Sequence, residues 1–368
     1  FSNYYVVGHI NLETITQAYR LSTQHLMFVS RGVYRMKRID ISFLRLFRLV
    51  KNLTLCTCVV ITFVGTYLYF DYLKCEEFKD SFLYLYPFGN VSSIVQELKQ
   101  KGTTHTKEIN DVYRLHRIIN SPINACNKPV SLLVIVKSKC SNHGHRSAIR
   151  RTWGNGENSD IYVYFSLGYL PEVQDEINEE IHAHNDIIQG SFDDVYRNNI
   201  YKTSLNFRWV HVHCSHLQYV LFIDDDYFLN MKGILSYVRM LSKFNISNKM
   251  YGYRGQCWKP IRLCFHEKTY ISLDEYQYDY WPDYLLGGTI LTTMDVVKGI
   301  SSAIPYIKRI SIDDTYVGIA AHLLGIELID ERRFSKQSRS ASQMKYYLSA
   351  HGYDGESLIA TWEEFTKF

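Results

Sequence analysis

The chain has 368 residues, enough for one large domain or two smaller ones with a buried core. Hydrophobic residues make up 46% and charged residues 21%, and only 20 Gly and 7 Pro are present, which excludes collagen-like and low-complexity proteins. The net charge of +4 offers no broad cationic face, so we expect no nucleic-acid partner. The 30 Tyr and 5 Trp fit sugar contact, but an aromatic-rich core is the favoured interpretation.

An uncharged apolar run at residues 53–70 follows a basic N-terminal segment. A helix of this length, at about 1.5 Å per residue, spans roughly 27 Å, close to the hydrocarbon thickness of a bilayer. Residues 31–51 contain seven Lys or Arg and a single acid, Asp40. Because the positively charged flank stays in the cytosol, we expect residues 1–52 to be a cytosolic tail and the remainder to face a lumen.

Two other interpretations of this run are a cleaved signal peptide and a buried globular helix. A signal peptide has a shorter apolar core that ends in small residues, whereas this run ends in bulky side chains from Tyr67 to Phe70. The sequence opens with Phe1, so Met36 is a candidate start residue within an over-extended tail. A single-span signal anchor is therefore the prediction.

The cysteines and two glycosylation motifs agree with a lumenal location. Cys56 and Cys58 lie in the predicted span, and six more cysteines follow it. An oxidising lumen permits up to three disulfides among those six, but the sequence cannot choose among fifteen pairings. Asn90 and Asn245 each begin an Asn-x-Ser motif and are candidate glycosylation sites. The six cysteines are Cys75, Cys126, Cys140, Cys214, Cys257 and Cys264.

Beyond the span, the pattern changes near residue 129. Residues 71–128 show no sustained period and are predicted to be a stem. Residues 129–368 alternate short apolar runs with helical stretches, which predicts an α/β domain with a parallel or mixed sheet. Strands are predicted at residues 131–136, 160–165, 186–189 and 218–223, and helices at 145–153, 171–184, 195–214, 294–302, 314–324 and 356–365.

Three carboxylates, Asp224, Asp225 and Asp226, directly follow the predicted strand 218–223. In open α/β sheets, ligands bind at the carboxyl ends of strands. Two carboxylates about 5 Å apart repel by roughly 3 kcal/mol at an effective dielectric near 20. A divalent cation such as Mg²⁺ or Mn²⁺ would neutralise them. A solvated acidic turn is the alternative; a phosphatase motif would need Thr where Phe228 stands.

Two further patterns point to a phosphate ligand and to a base. Arg146 and Arg150 lie four apart on a predicted helix, so their guanidiniums share one face and match a diphosphate; a solvated surface helix is the alternative. Ser311 and Asp314 match a helix capping box. A carboxylate at a helix N-terminus is expected to keep a low pKa and thus to serve as an ionised base.

A turn-rich aromatic segment lies between these patterns. Trp281 and Tyr284 offer aromatic faces for stacking, and the adjacent Gly287 and Gly288 let the backbone approach a ligand. Taken alone, this segment predicts only a turn.

Together these motifs resemble the inverting β1,3-glycosyltransferase family, which includes β1,3-galactosyltransferases, β1,3-N-acetylglucosaminyltransferases and, more distantly, the fringe enzymes. The resemblance covers residues 130–362. It rests on five ordered motifs: Arg-x-x-Ile-Arg-x-Thr-Trp-Gly at 146–154, the Asp-Ile-Ile-Gln to Lys-Thr stretch at 186–203, the acidic triplet, the Pro-x-Tyr and double-glycine segment at 282–288, and Asp313-Asp314-Thr315. Asp313 and Thr315 replace the family's Glu and Val.

The resemblance implies a GT-A-type nucleotide-sugar-binding fold with a mixed central sheet, a UDP-sugar donor, and a type II Golgi membrane protein. It implies a Mn²⁺ or Mg²⁺ ion held by Asp226 and a late histidine, His351, with Asp224 close by. Asp225, Arg146 and Arg150 would bind the donor, and Asp314 would be the catalytic base. Trp281, Tyr284, Gly287 and Gly288 would bind the acceptor.

The implied reaction is a single displacement that transfers a hexose from a UDP-sugar to a glycan hydroxyl on a glycoprotein or glycolipid, with inversion to a β1,3 linkage. Galactose is the favoured sugar because the motif spacing resembles the galactosyl branch. N-acetylglucosamine and N-acetylgalactosamine remain alternatives, as does a noncatalytic glycan-binding or chaperone-like role. A noncatalytic role would require loss of the triplet or the base, and both are present.

Overall fold

The computed structural model describes residues 41–85, 90–155, 160–244, 246–263 and 268–367. The chain divides into two compact units, Phe1–Phe70 and Asp71–Phe368. Phe1, Met36, Asn245 and Cys264 lie outside the described residues.

The long helix α1, Ile41–Leu85, begins in the first unit. Among the described residues one helix is long and apolar enough to cross a membrane, Arg48–Phe82, with a mean hydropathy of 1.8. Its apolar side chains in the first unit, from Leu49 to Phe70, are exposed. This helix fits the predicted anchor.

The second unit is built on a mixed eight-stranded sheet in the order β1-β4-β3-β2-β5-β8-β7-β9. The four central strands β4, β3, β2 and β5 are parallel, and β1 and β8 flank them in antiparallel orientation. β7 is antiparallel to β8 and parallel to β9. The strands are β1 Ile118–Asn120, β2 Leu132–Lys137, β3 Ile161–Tyr169, β4 Ile187–Asp193, β5 Tyr219–Asp224, β6 Tyr227–Leu229, β7 Lys249–Gly255, β8 Tyr284–Thr293, β9 Glu327–Asp330, β10 Phe334–Ser335 and β11 Ser349–His351.

Helices cover both faces of this sheet, which explains why β2 and β5 are buried and apolar up to their last residue. The predicted strands and helices of residues 129–368 are present, and the α/β fold with a mixed central sheet is confirmed. Two predicted helices begin with a turn of 3₁₀-helix, at Pro171–Val173 and Tyr196–Asn198. The helices after α1 are α2 Val91–Lys101, α3 Val112–Leu115, α4 His143–Arg151, α5 Gln174–His184, α6 Asn199–His213, α7 Met231–Ser242, α8 Met294–Ala303, α9 Asp313–Leu323, α10 Ala341–Met344 and α11 Gly355–Phe365.

The strand pairing in the two sheets determines where the charged residues of the site lie. Lys137 at the end of β2 pairs with Asp224 at the end of β5, so both strands deliver a charged side chain to one edge. In a small second sheet, β11 pairs antiparallel with β6, and His351 lies opposite Tyr227. The chain around the acidic triplet therefore runs directly from the first sheet to the second.

The boundary predicted at residue 128 is corrected to Asp71, because residues 71–128 pack within the second unit. Phe82, Val91 and Val112 are buried in its core. Disulfides Cys75–Cys257 and Cys126–Cys214 tie the same segment to later parts of the chain. The predicted stem is thus a structural part of the domain.

The remaining predicted modification sites are partly described. Cys140 is a buried free thiol, and Cys56 and Cys58 are exposed and unpaired, as expected for residues within the predicted span. Asn90 is exposed at the start of α2, where its side-chain oxygen accepts a hydrogen bond from the Ser93 amide. Its glycosylation stays a prediction.

Candidate active site

A lysine that the sequence analysis did not single out bridges the acidic groups of the site. The Lys137 Nζ lies 3.0 Å from Asp224 Oδ1 and 3.2 Å from Asp313 Oδ2. Burial alone would lower the pKa of Lys137, but these two carboxylates raise it above its usual value. Burial raises the pKa of Asp224 to about 6 against the opposing effect of Lys137. Part of the positive charge expected at the triplet is therefore supplied by the chain itself.

Asp225 points towards the loop that follows β2. It is 8% exposed and accepts hydrogen bonds from Ser138 Oγ at 2.6 Å and Asn142 Nδ2 at 3.0 Å. Its own amide donates to the Lys137 carbonyl. Asp225 thus fixes the loop at the strand ends while also lining the cleft.

Asp226 and His351 form the part of the site best suited to a cation. The Asp226 Oδ2 lies 3.0 Å from His351 Nε2, while its buried Oδ1 has no hydrogen-bond partner. The hydrogen bond to Asp226 raises the pKa of His351. A carboxylate oxygen without a partner beside an imidazole is a donor set that fits Mn²⁺ or Mg²⁺. The residues present therefore fit the predicted ion.

Asp314 is a half-buried carboxyl in the first turn of α9, and its pKa differs from the expectation. Burial raises the pKa to about 7, and the neighbouring Asp313 carboxylate contributes to the rise. The predicted low pKa is wrong, because burial outweighs the helix N-terminus. The capping box is also wrong: α9 begins at Asp313, and its cap residue Ile312 has no side-chain cap. A carboxyl that titrates near neutrality suits a general base.

Asp313 is held as an anion beside Asp314. Burial alone would raise the pKa of Asp313, but Lys137 and a hydrogen bond from Thr203 lower it below its usual value. The Thr203 Oγ1 donates to Asp313 Oδ2 at 2.7 Å. Asp313 is ionised before Asp314, so it can disfavour ionisation of the base.

Asp313 and Asp314 line a smaller pocket that shares Lys137 with a polar cleft of about 400 Å³ at the carboxyl ends of β2 and β5, and the acidic triplet borders this cleft. Several of its residues fall within the 186–203 motif, to which the sequence analysis gave no role. A sequence pattern could have identified them, because Asp194 and Tyr196 follow the end of β4, and the carboxyl ends of the parallel strands lie at one edge of the sheet. The cleft is lined by Lys137, Ser138, Lys139, Asn142, Asp194, Val195, Tyr196, Asn199, Lys202, Asp224, Asp225, Asp226 and Lys268.

The prediction that Arg146 and Arg150 bind the donor is corrected. Arg146 is fully buried, where it forms a bidentate pair with Glu180 and donates to the carbonyls of Lys139 and Cys140. Arg150 pairs with Glu180 and with Asp186. The helix face that they share therefore packs against the carboxylates of Glu180 and Asp186. Arg146 also stabilises the loop after β2 through its hydrogen bonds to the backbone carbonyls of that loop.

The predicted acceptor residues divide into two groups. Trp281 is 3% exposed and stacks on Tyr276, and Tyr284 is 6% exposed, so neither offers a free aromatic face; this part of the prediction is corrected. Gly287 does reach the site, because a Cβ there would lie 3.1 Å from the Asp314 Cβ. At Gly288 a Cβ would overlap the Tyr227 hydroxyl, so the strand needs glycine for close approach.

Comparison with known proteins bears on the same region. A sequence model described as Galactosyltransferase matches residues 144–332. The chain is 30% identical over 245 residues to a β-1,3-galactosyltransferase of Drosophila melanogaster, brn, covering 65% of this chain and 75% of that protein.

Relatives that transfer other sugars are similarly close. The chain is 30% identical over 268 residues to the human lactosylceramide 1,3-N-acetyl-β-D-glucosaminyltransferase, with 69% of this chain and 70% of that protein covered. It is 29% identical over 277 residues to the human UDP-GalNAc:β-1,3-N-acetylgalactosaminyltransferase 1, with coverages of 70% and 81%. Among solved structures, S. aureus TarS 1-349 in complex with UDP is 8% identical, with 54% of this chain and 58% of that chain covered, and the TM-score is 0.33.

Proposed function

The chain belongs to the galactosyltransferase family and is a hexosyltransferase, and on that basis we propose that it transfers galactose from UDP-galactose to a glycan hydroxyl with inversion, forming a β1,3 linkage. The observation that carries this proposal is that Lys137 joins two features, through its contacts with Asp224 and Asp313. An acidic group at the end of β5 is suited to a cation, and a carboxyl that titrates near neutrality, Asp314, lies beside Asp313 and Lys137.

At the donor side, Asp226 and His351 would hold a Mn²⁺ or Mg²⁺ ion, with Asp224 close by. When bound, such an ion supplies positive charge that stabilises the diphosphate as it departs. Asp225 keeps the loop of Ser138 and Asn142 in place at the edge of the cleft. Lys137 holds Asp224 and Asp313 in fixed positions on either side of its ammonium group.

At the acceptor side, Asp314 removes the proton from the acceptor hydroxyl. The oxygen attacks the anomeric carbon from the face opposite UDP, the bond from that carbon to the phosphate oxygen breaks, and its electron pair leaves with UDP. An α-linked donor thus gives a β-linked product. A pKa near 7 lets Asp314 be ionised before the reaction and still accept a proton during it.

The donor sugar is the finer part of the proposal. Galactose is favoured by the motif spacing, while relatives named for N-acetylglucosamine and N-acetylgalactosamine transfer make these the alternatives. The location is proposed to be the Golgi membrane, with a single type II span and a lumenal domain. One apolar helix and two disulfides support that location, because disulfides persist in oxidising compartments.

The test is a donor panel. The full chain in detergent is incubated with UDP-galactose, UDP-N-acetylglucosamine or UDP-N-acetylgalactosamine, with p-nitrophenyl β-glycosides as acceptors, and with Mn²⁺ or EDTA. We expect transfer from UDP-galactose in Mn²⁺ only, and a β1,3 linkage in the product by NMR. A product with retained α configuration, or no transfer from any donor, would refute the proposal.

A further inference from the structure

One face of helix α1, just beyond the predicted span, contacts the segment that precedes β8. The Asp71 carboxylate lies 2.6 Å from both Lys259 Nζ and the Tyr280 hydroxyl. One turn later Cys75 is disulfide-bonded to Cys257. Positions four residues apart share a helix face, so these contacts line up along one stripe.

The same stripe continues for two more turns. The Lys79 Nζ lies 3.0 Å from Asp283 Oδ1, and both side chains are mostly buried, at 15% and 12% exposure. The Phe82 ring packs edge-on against Tyr278 with centroids 5.4 Å apart. Residues 257–259 and 278–283 are therefore held against α1 at several successive points by ionic, covalent and aromatic contacts.

The segment that α1 holds is connected by packing contacts to α9, the helix that carries the proposed base Asp314. The Trp258 carbonyl accepts a hydrogen bond from the Trp281 amide, and the Trp258 ring packs against Tyr284, the first residue of β8. Tyr284 in turn packs against Gly318 of α9. A Cβ added at Gly318 would lie only 2.3 Å from the Tyr284 Cβ. The first turn of α9 carries Asp314.

Trp258 is the aromatic residue of this chain of contacts that stays accessible. It is 39% exposed, whereas Trp281 and Tyr284 are buried. An exposed indole held beside the β8 strand offers a flat apolar face of the kind that sugars stack on. Its location depends on what α1 holds in place.

We propose that residues 71–82 of α1 are a positioning element for the acceptor side of the site, and that through Asp71, Cys75 and Lys79 they hold the segment that presents Trp258 to an acceptor sugar. The proposal rests on the proposed function and adds an acceptor contact and the element that places it. It makes the helix after the predicted span part of the substrate-binding apparatus.

The test compares four full-chain variants in detergent: Lys79→Met, Cys75→Ser with Cys257→Ser, Trp258→Ala, and the milder Asp71→Asn. The first three should raise the KM for the best p-nitrophenyl glycoside acceptor about tenfold, and Asp71→Asn about threefold. Affinity for UDP, measured by calorimetry with Mn²⁺, should stay within about twofold, because the donor side is untouched. The matched control is Lys101→Met, an exposed lysine on α2 whose loss should change neither value.

An unchanged acceptor KM in the Trp258→Ala and Lys79→Met variants would overturn the proposal, as would a parallel loss of UDP affinity, which indicates general damage. Asp71→Asn keeps the test usable if a stronger variant fails to fold. If the unaltered chain transfers no sugar, the proposed function fails instead. The positioning role is then judged by hydrogen exchange: faster exchange at residues 284–288 in Lys79→Met supports it, and unchanged exchange refutes it.

Discussion

Asp314 is the residue on which the proposed chemistry depends. Replacing it with Asn keeps the shape of the side chain but removes the base. We expect transfer to fall by at least about 10³-fold while UDP still binds with Mn²⁺, because the proposed mechanism uses Asp314 at the acceptor hydroxyl and not at the diphosphate. Rates come from radiolabelled transfer and binding from calorimetry. Transfer within about tenfold of the unaltered chain would remove Asp314 from this role.

The pKa of Asp314 also predicts how the rate depends on pH. Since the base must be ionised, kcat should fall about tenfold per unit of pH below about 7 and level off above it. The same shift has a stability consequence. Folding raises the pKa of Asp314 from its ordinary value of 3.8 to about 7, so its contribution to the free energy of unfolding falls as pH rises from about 4 to about 7 and is constant above that. Asp314→Asn should therefore raise Tm more at pH 8 than at pH 5.

Lys137 is expected to tune the base. Its ammonium lowers the pKa of Asp314, so Lys137→Met should move the acid limb of the pH–rate profile to higher pH and lower kcat most strongly below pH 7. The exposed Lys243, changed to Met, is the control. A uniform loss of rate with no shift of the limb would show that Lys137 acts through packing alone.

Two glycines allow β8 and α9 to pack closely against their neighbours at the site. At Gly288 in β8 a Cβ would overlap the Tyr227 hydroxyl, and at Gly318 in α9 it would overlap Tyr284. Gly318→Ala should therefore lower the free energy of unfolding by about 1–3 kcal/mol, since overpacking forces the helix and strand apart. Gly325 is an unsuitable control because of its positive φ; Gly144→Ala, with open space around it, should have little effect. A Gly318→Ala stability equal to that of Gly144→Ala, by urea unfolding, would contradict the packing argument.

The elements were largely predictable from the sequence, whereas the partners of charged side chains were not. Apolar runs fix the strands, and the strand end places Asp224 correctly. The two arginines of α4 share a face, as predicted. A spacing of four residues does not reveal their partner, because Glu180 lies 34 residues beyond Arg146 in the sequence. The sequence does not single out Lys137, because one polar residue at a strand end is ordinary and its contact with Asp313 joins positions 176 residues apart.

Burial likewise escaped the sequence analysis. The sequence does not reveal whether the Trp281 ring is free to contact a sugar or packs against another side chain. The fold shows that the ring is buried and stacks on Tyr276. The pKa of Asp314 was misjudged for the same reason, because the sequence shows the helix terminus but not the burial that opposes it.

At the scale of the whole molecule, the boundary between the two compact units falls between Phe70 and Asp71. Removing residues 1–70 should leave a stable protein, since the boundary between the units falls there. Removing residues 1–128, the cut suggested by the predicted stem, deletes Phe82 and Val91 from the core and both disulfide partners Cys75 and Cys126. With a cleavable signal peptide in place of the deleted residues, we expect the shorter form to be secreted poorly and to unfold at much lower temperature, measured by differential scanning fluorimetry. Equal Tm values for the two forms would refute this view of the stem.

The central claim is that the acidic edge of the sheet holds a cation and, with it, a sugar nucleotide. Calorimetric titration of UDP into the full chain, with Mn²⁺ or with EDTA, tests it most directly. The account predicts binding in Mn²⁺ only, lost in Asp226→Ala and kept in Asp314→Asn. Equal binding of UDP in EDTA, or undiminished binding by Asp226→Ala, would contradict it.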